Sequence, residues 1–154
     1  MSDMMKDPMV LRQLIMDHYQ YPRNRGLSTD EGYQQIHMDS ESCIDDIMVQ
    51  AKIENDVLVD IRFDGIACTI STASTSMMSE LLKGKKINEA KMVIDEYFKM
   101  IENESHDEEL LAEAIAFSNV YKQPNRIKCA TIGWNAIKTL IDKGDSNEKH
   151  KKAA

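Results

Sequence analysis

Apolar residues recur with two different periods along this chain, and each change of period marks a predicted element. The first period is helical, and it runs from Asp7 to Tyr19. Asp7 can cap this helix and Pro8 suits its first turn. Pro22 then ends the pattern, because a proline cannot continue a helix. Residues 22–32 are rich in polar and turn-forming residues and are expected to form a loop.

The period changes to two at Ile47. Residues 47–53 and 57–63 alternate apolar with polar side chains around the turn 54–56, which predicts a β-hairpin with one buried face. On the second strand the inward side chains are expected to be Val57, Val59, Ile61 and Phe63. Residues 33–38 predict a short additional strand.

After the hairpin the pattern is helical to the end of the apolar sequence. Helices are predicted over residues 70–84, 88–102, 107–118 and 129–144, with a connecting loop at 119–128. Gly84 and Gly144 are the expected helix ends. This order predicts an α+β fold, a small antiparallel sheet of about three strands packed against four to five helices.

The 154 residues suit one domain, with a core over about residues 8–143 and a polar tail at 144–154. The net charge of -7 argues against nucleic acid as a partner, and the one basic run, 149–152, lies in the tail. No apolar run is long enough for a membrane helix, and the first residues lack the pattern of a secretory signal. We therefore expect a cytoplasmic protein with reduced thiols.

All three cysteines fall at the boundaries of predicted elements. Cys43 precedes the hairpin, Cys68 lies between a strand and a helix, and Cys129 lies between a loop and the last helix. Three ordinary thiols are one interpretation, and a shared site is the other. A helix N-terminus would stabilise a thiolate at Cys68 and at Cys129, and thiolates are the form that binds metal.

Three thiolates leave one position of a tetrahedral zinc site for a further ligand. Asp45 is the nearest candidate, because residues i and i+2 of an extended chain face the same side, whereas Asp46 would point away. A solvated acid at the strand entry is the alternative for Asp45. Among the histidines, His18 lies on the apolar face of the first helix and is expected to be a packed or capping residue.

Four collinear motifs resemble the IscU/SufU family of iron–sulfur cluster assembly proteins, also described as NifU N-terminal-like. The motifs are Asp17-His18-Tyr19 with Pro22-Arg23-Asn24, Cys43-x-Asp45, Cys68-Thr69-Ile70-Ser71-Thr72-Ala73-Ser74 with Ser76-Met77-Met78, and Arg126-Ile127-Lys128-Cys129-Ala130-Thr131 with Trp134. The resemblance covers about residues 8–143 and implies the fold of that family.

Two features favour the SufU branch. Cys68 and Cys129 are separated by 61 residues, which leaves room for a helical segment that IscU-type scaffolds lack. Lys128 stands where those scaffolds carry a histidine ligand. The resemblance then implies Zn²⁺ held by Cys43, Asp45, Cys68 and Cys129, and sulfur accepted at Cys43 from the persulfide of a SufS-type cysteine desulfurase.

The resemblance thus implies a zinc-dependent sulfurtransferase for iron–sulfur cluster assembly, with downstream assembly proteins as further partners. The alternative is a scaffold on which a [2Fe-2S] cluster is built and handed on. Ile44 and Ala67 replace glycines that are usual in the family. Arg126 is expected either to support the site, by pairing with Asp45 or steering a persulfide, or to be a surface arginine.

Overall fold

The predicted hairpin and the short strand before it form one antiparallel sheet. The computed structural model describes residues 7–39 and 44–153, and the side chains of these residues up to 143. The described residues form five α-helices in addition to the sheet, and the α+β prediction is confirmed. The elements are α1 (Pro8–Gln20), β1 (Tyr33–Asp39), β2 (Asp46–Glu54), β3 (Val57–Ile66), α2 (Thr69–Leu82), α3 (Ile87–Ile101), α4 (Glu108–Leu111), two 3₁₀ helices (Ala112–Phe117 and Val120–Lys122) and α5 (Pro124–Ala153).

The strand order is β1-β2-β3, and the turn between β2 and β3 is tight. Asn55 and Asp56 both have positive φ, as a two-residue turn of type I′ requires.

The prediction for the inward face of β3 is wrong at its first residues. A bulge between Lys52 and Ile53 changes the register, so that Leu58 is buried while Val57 and Val59 are only half-buried. Ile61 and Phe63 face the core as predicted.

Helix α2 runs through the middle of the molecule and is buried almost all round. Six hydroxyl side chains of α2 are buried together with its apolar side chains. Several of them bond to neighbouring elements; Ser79 and Ser76, for example, contact the residues that follow α1. Buried polar groups need such partners, and α2 is therefore tied to its surroundings by hydrogen bonds as well as by apolar packing.

The segment 107–128 differs from its prediction in two places. The helix predicted over 107–118 is broken at Ala112, where φ is +47°, into α4 and a 3₁₀ helix. Alanine is the best helix former, so the sequence has no signal for this break. The predicted loop 119–128 is also wrong in its second half, because α5 begins at Pro124. A proline is favoured at the first position of a helix, and Pro124 marks a start there.

The other end of α5 also departs from the prediction. Gly144 was expected to end the helix, but α5 continues to Ala153. A glycine inside a helix costs about 1 kcal/mol relative to alanine, which does not by itself stop a helix. Among the described residues, no helix is both long and apolar enough to cross a membrane.

Candidate metal and sulfur site

The pairing of β2 with β3 brings the start of one strand to the end of the other. Asp46, the first residue of β2, lies opposite Ile66, the last residue of β3. Asp45 precedes that pair and Cys68 follows it by two residues, so the two side chains meet at one edge of the sheet. The hairpin register therefore builds half of the predicted site.

Asp45 is 2% exposed, and both of its carboxylate oxygens have donors. The backbone N–H of Cys68 donates to Oδ1 at 2.9 Å. The hydroxyl of Ser71 donates to Oδ2. A buried carboxylate needs such partners, and these two also fix its direction. Asp46, in contrast, is exposed and contacts His37, so Asp45 is the acid that lies with the thiols.

Cys68 is the N-cap of α2. The backbone N–H of Ser71 donates to its Sγ at 3.4 Å, and the Ser71 hydroxyl lies 3.3 Å from the same sulfur. The start of a 14-residue helix also favours negative charge at this position. The predicted place of Cys68, at a helix N-terminus, is confirmed, and the side chain remains partly accessible.

Cys129 reaches the site from within α5 rather than from its start. The prediction that it lies at a helix N-terminus is wrong, because α5 begins five residues earlier, and the side chain is fully buried. Helix α5 approaches α2 closely at Gly133, where an added Cβ would lie 2.5 Å from Thr75 Oγ1. The Ser74 hydroxyl of α2 donates to the carbonyl of Ala130 at 2.6 Å, which fixes α5 next to Cys129.

A second donor to this carbonyl comes from α3. The Tyr97 hydroxyl donates to the oxygen of Ala130 at 2.6 Å, and the Tyr97 ring stacks on Trp134 at a centroid distance of 3.8 Å. Burial raises the pKa of Tyr97 well above its ordinary value, so the hydroxyl keeps its proton and stays a donor. Cys129 is thus positioned by two helices besides its own.

The result is a cluster of one carboxylate and two thiols. One ligand atom each of Asp45, Cys68 and Cys129 lies within 4.8 Å of the other two. Cys43 falls outside the described residues, two positions before Asp45 in the chain. Thiolate sulfur with a carboxylate oxygen is a donor set that suits Zn²⁺. We call Asp45, Cys68 and Cys129 the thiol site.

The sequence of this chain is similar to those of known proteins. The family described as NifU-like N-terminal domain matches residues 11–143. The chain belongs to this family. The zinc-dependent sulfurtransferase SufU of Bacillus subtilis is 38% identical over 133 residues, 86% of this chain and 89% of that protein. The iron–sulfur cluster assembly scaffold protein IscU of Streptococcus pyogenes is 36% identical over 138 residues, 89% of this chain and 85% of that protein.

Two solved structures share the fold of this chain. A crystal structure of a protein described as hypothetical has a TM-score of 0.80 at 34% identity, and covers 87% of this chain and 98% of its own. A scaffold protein for the SUF system from Fervidobacterium islandicum, described as putative and as FiSufU, has a TM-score of 0.75 at 28% identity, over 82% of this chain and 93% of its own. The resemblance to the IscU/SufU family is therefore confirmed.

The remaining residues that were singled out from the sequence lie in different surroundings. Arg126 is exposed, its backbone N–H donates to the Gln123 carbonyl, and no ion pair joins its side chain to Asp45 in the described part of the chain. Its supporting role stays a prediction. Ile44 is strongly exposed beside the buried Asp45. His18 is buried, as expected for a packed residue.

Ser71 contacts two residues of the thiol site, and no role was predicted for it from the sequence. It contacts both Asp45 and Cys68, and it is fully buried. The sequence does contain a signal for the contact with Cys68, because a side chain at the third position of a helix faces the N-cap residue, and Ser71 is the third residue of α2. The alternation of side chains along a strand, which selected Asp45, gives no information about Ser71, because Ser71 lies on a helix.

Proposed function

We propose that this protein is a zinc-dependent sulfurtransferase that accepts persulfide sulfur from a SufS-type cysteine desulfurase for iron–sulfur cluster assembly. The observation that carries the proposal is the convergence of Asp45, Cys68 and Cys129, three residues from distant parts of the chain, with their ligand atoms within 4.8 Å of one another. The similarity to a relative named as a zinc-dependent sulfurtransferase supports the same assignment.

The residues fit a zinc ion by the chemistry of their donor atoms. Cys43, Asp45, Cys68 and Cys129 would supply three sulfurs and one oxygen, which fills a tetrahedral site. When bound, the ion would keep the thiols deprotonated and thereby protect them until a partner docks. The Asp45 carboxylate is already fixed by the Cys68 N–H and the Ser71 hydroxyl, so little side-chain ordering would remain for binding.

In the sulfur-transfer step, the thiolate of Cys43 attacks the outer sulfur of the desulfurase persulfide. A bond forms between Cys43 Sγ and that sulfur, and the original S–S bond breaks. The electron pair of the broken bond leaves with the desulfurase cysteine, which becomes a thiolate. The products are a persulfide on Cys43 and a regenerated desulfurase, with no external oxidant or reductant.

Cys68 and Cys129 are less suited to receive sulfur. Cys129 is fully buried inside α5, and Cys68 is held at the helix N-cap by Ser71. An acceptor must reach a partner's persulfide and then move away with it. Cys43 lies in the connection between β1 and β2, next to the exposed Ile44, which supports its assignment as the acceptor.

The test is a persulfide transfer assay with a SufS-type desulfurase and cysteine. The wild-type protein should retain about one zinc per chain after exposure to a chelator, and mass spectrometry should detect one added sulfur atom on Cys43. Cys43→Ala should abolish the added sulfur and the stimulation of desulfurase turnover. Asp45→Asn should lower metal content, whereas Asp46→Asn, which removes the same charge from an exposed neighbour, should not. Bound zinc without any sulfur transfer would contradict the proposal.

The scaffold alternative is tested in the same protein. The relative from Streptococcus pyogenes is named as a scaffold, and a [2Fe-2S] cluster also takes thiolate ligands. Anaerobic reconstitution with iron and sulfide should give no stable coloured cluster if the protein is a sulfurtransferase. A cluster that forms and transfers to an apo-ferredoxin would favour the scaffold instead.

A further inference from the structure

A second group of metal-ligating side chains lies at the far end of α2 from Cys68. His18 of α1, Glu80 of α2 and Glu113 of the 3₁₀ helix Ala112–Phe117 face one cleft, and one ligand atom of each lies within 4.8 Å of the others. The cleft has a volume of about 320 Å³, which is room for an ion with several waters at about 30 Å³ each. Its other lining residues are Met77, Leu81, Lys85, Ala112 and Ala114. We call this group the histidine cleft.

The imidazole of His18 is held with one nitrogen toward the cleft. The side chain is 1% exposed, and its Nδ1 lies 2.8 Å from the Ser76 hydroxyl. The same hydroxyl accepts the backbone N–H of Arg23 at 2.8 Å, which fixes its position. Nε2 points to Glu113 Oε2 at 3.1 Å. A ring oriented through its second nitrogen is the usual arrangement of a metal-binding histidine.

The carboxylates of the cleft can adjust to an ion, because both are half-exposed: Glu80 is 51% and Glu113 47% exposed. The 3.1 Å from His18 Nε2 to Glu113 is close to the separation of about 3.3 Å between two ligands of a tetrahedral ion with bonds of about 2.0 Å. Small rotations of the Glu80 side chain would complete a site of one nitrogen and two oxygens.

The charge around the cleft also favours a cation. Arg23 lies 3.4 Å from Glu80, but it is shared with Asp17 at 2.5 Å. Lys85 is the other cation of the cleft lining. The residues that line the cleft thus include two carboxylates, those of Glu80 and Glu113, and one ammonium group, that of Lys85. Glu113 is paired with the His18 imidazole and also interacts electrostatically with Arg23.

We propose that His18, Glu80 and Glu113 bind a divalent first-row transition metal ion, at a site separate from the thiol site. Imidazole nitrogen selects zinc, cobalt or iron over magnesium and calcium, which prefer oxygen ligands alone. The ion would join α1, α2 and the segment between α4 and α5. Glu113 follows directly after the helix break at Ala112, and its Oε2 lies 3.1 Å from His18 Nε2.

The first measurement is a titration of the full-length Cys68→Ala protein with Co²⁺. The Cys68→Ala substitution disables the thiol site but keeps the histidine cleft. Binding should produce weak visible bands without the strong sulfur-to-cobalt charge-transfer absorption that a thiolate site gives. The same protein titrated with Zn²⁺ should show a shift of the His18 ring resonances in NMR spectra. Mg²⁺ at the same concentration should leave these resonances unchanged.

Variants of the two half-exposed glutamates then locate the site. Glu113→Gln and Glu80→Gln should each weaken Co²⁺ binding at least about tenfold. Loss of a residue that only hydrogen-bonds to a metal ligand typically lowers metal affinity by about this factor, and loss of a ligand should lower it at least as much. Glu109→Gln removes the same charge from an exposed residue of the same segment, and it should bind Co²⁺ like its parent. His18 is left unchanged because its loss would also remove a buried hydrogen bond.

The outcomes separate this proposal from the proposed function. Equal Co²⁺ affinity in Glu113→Gln, Glu80→Gln and Glu109→Gln, or no shift of the His18 resonances with Zn²⁺, would overturn the histidine cleft as a metal site. Neither result bears on sulfur transfer at Cys43. Conversely, a protein that fails in the persulfide assay would still bind Co²⁺ in the cleft if this inference is correct.

Discussion

The thiol site and the histidine cleft are built at opposite ends of the same helix. Cys68 caps the first turn of α2, and Glu80 lies in its last turn. In the thiol site, Asp45 and Cys129 are buried and Asp45 has two fixed donors. In the histidine cleft, only His18 is buried and both carboxylates are half-exposed. The described ligands of the thiol site are therefore largely ordered without metal, whereas the two glutamates of the histidine cleft would have to be ordered on binding.

This difference predicts a tight site and a weaker one. Ordering an exposed side chain costs up to about 2 kcal/mol of conformational free energy, and the two glutamates would have to be ordered on binding. Asp45 and Cys129 have already lost that freedom on folding. We therefore expect metal in the histidine cleft to exchange with added chelator while metal in the thiol site remains.

The largest expected effect comes from removing one sulfur ligand of the thiol site. Structural zinc sites bind with about 10–16 kcal/mol over four ligands, so Cys68→Ala should weaken zinc binding in the thiol site at least about 100-fold. The histidine cleft should keep its affinity. Competition titrations with a chromophoric chelator measure both. A parallel loss of affinity in the cleft would show that the two sites are not independent.

Ser71 tests whether the ligands are held in place by their hydrogen bonds. Ser71→Ala removes the hydroxyl that contacts Asp45 and Cys68, and it should lower zinc affinity about 10–100-fold. Ser79→Ala is the matched control, because Ser79 is also a fully buried serine of α2, about two turns later, and it bonds to Asn24 rather than to the thiol site. That variant should lose stability without a comparable loss of zinc affinity. Equal zinc affinities in the two variants would contradict an orienting role for Ser71.

The contact between α2 and α5 should matter for the thiol site alone. Gly133→Ala would place a methyl group 2.5 Å from Thr75 Oγ1, and overpacking of this kind costs about 1–3 kcal/mol. Urea unfolding should show that loss, and zinc affinity at the thiol site should fall because Cys129 is displaced. The cleft needs no residue of α5 and should be unaffected.

Two further variants control this experiment. Asn135→Ala, at an exposed position of α5, should change neither stability nor zinc affinity. Thr75→Ala combined with Gly133→Ala should recover much of the lost stability, because the side chain that meets the new methyl group is gone. If the double variant is no more stable than Gly133→Ala alone, the close approach of the two helices is not the cause.

The smallest expected effect concerns the strands on either side of Cys43. His37 of β1 contacts Asp46 of β2, and this hydrogen bond raises the pKa of His37 above its usual value. Because the folded-state pKa is the higher one, the contact stabilises the fold below the ordinary histidine pKa of about 6.5, and this stabilisation is lost as pH rises through the raised pKa.

An NMR titration of the imidazole resonances measures this effect. Asp46→Asn should return the pKa of His37 toward its ordinary value, while Asp39→Asn, which removes the weaker neighbouring charge, should lower it less. The pH dependence of stability near neutral pH should flatten in Asp46→Asn. An unchanged His37 titration in that variant would show that the contact does not persist in solution.

Much of the fold could be predicted because its signals are local. Alternation over 47–53 and 57–63 predicted the hairpin, and the helical period predicted α1, α2, α3 and the apolar part of α5. Two predictions are wrong because the sequence carries no signal for the feature that decides them. The bulge after Lys52 inserts one residue into β3, which reverses the side-chain parity at Val57 and Val59. The break at Ala112 uses a residue that normally favours helix, so packing around it must decide.

The sequence by itself determined which residues could carry the chemistry. Strand parity separated Asp45 from Asp46, and the helix start gave Cys68 its capping position. Only the tertiary structure decided which of these side chains meet. Cys129 reaches the thiol site because α5 packs on α2 through Gly133, and His18 meets Glu113 across 95 residues of chain. Periodicity reports the direction of a side chain within its own element, whereas contacts between distant elements depend on how the whole core packs.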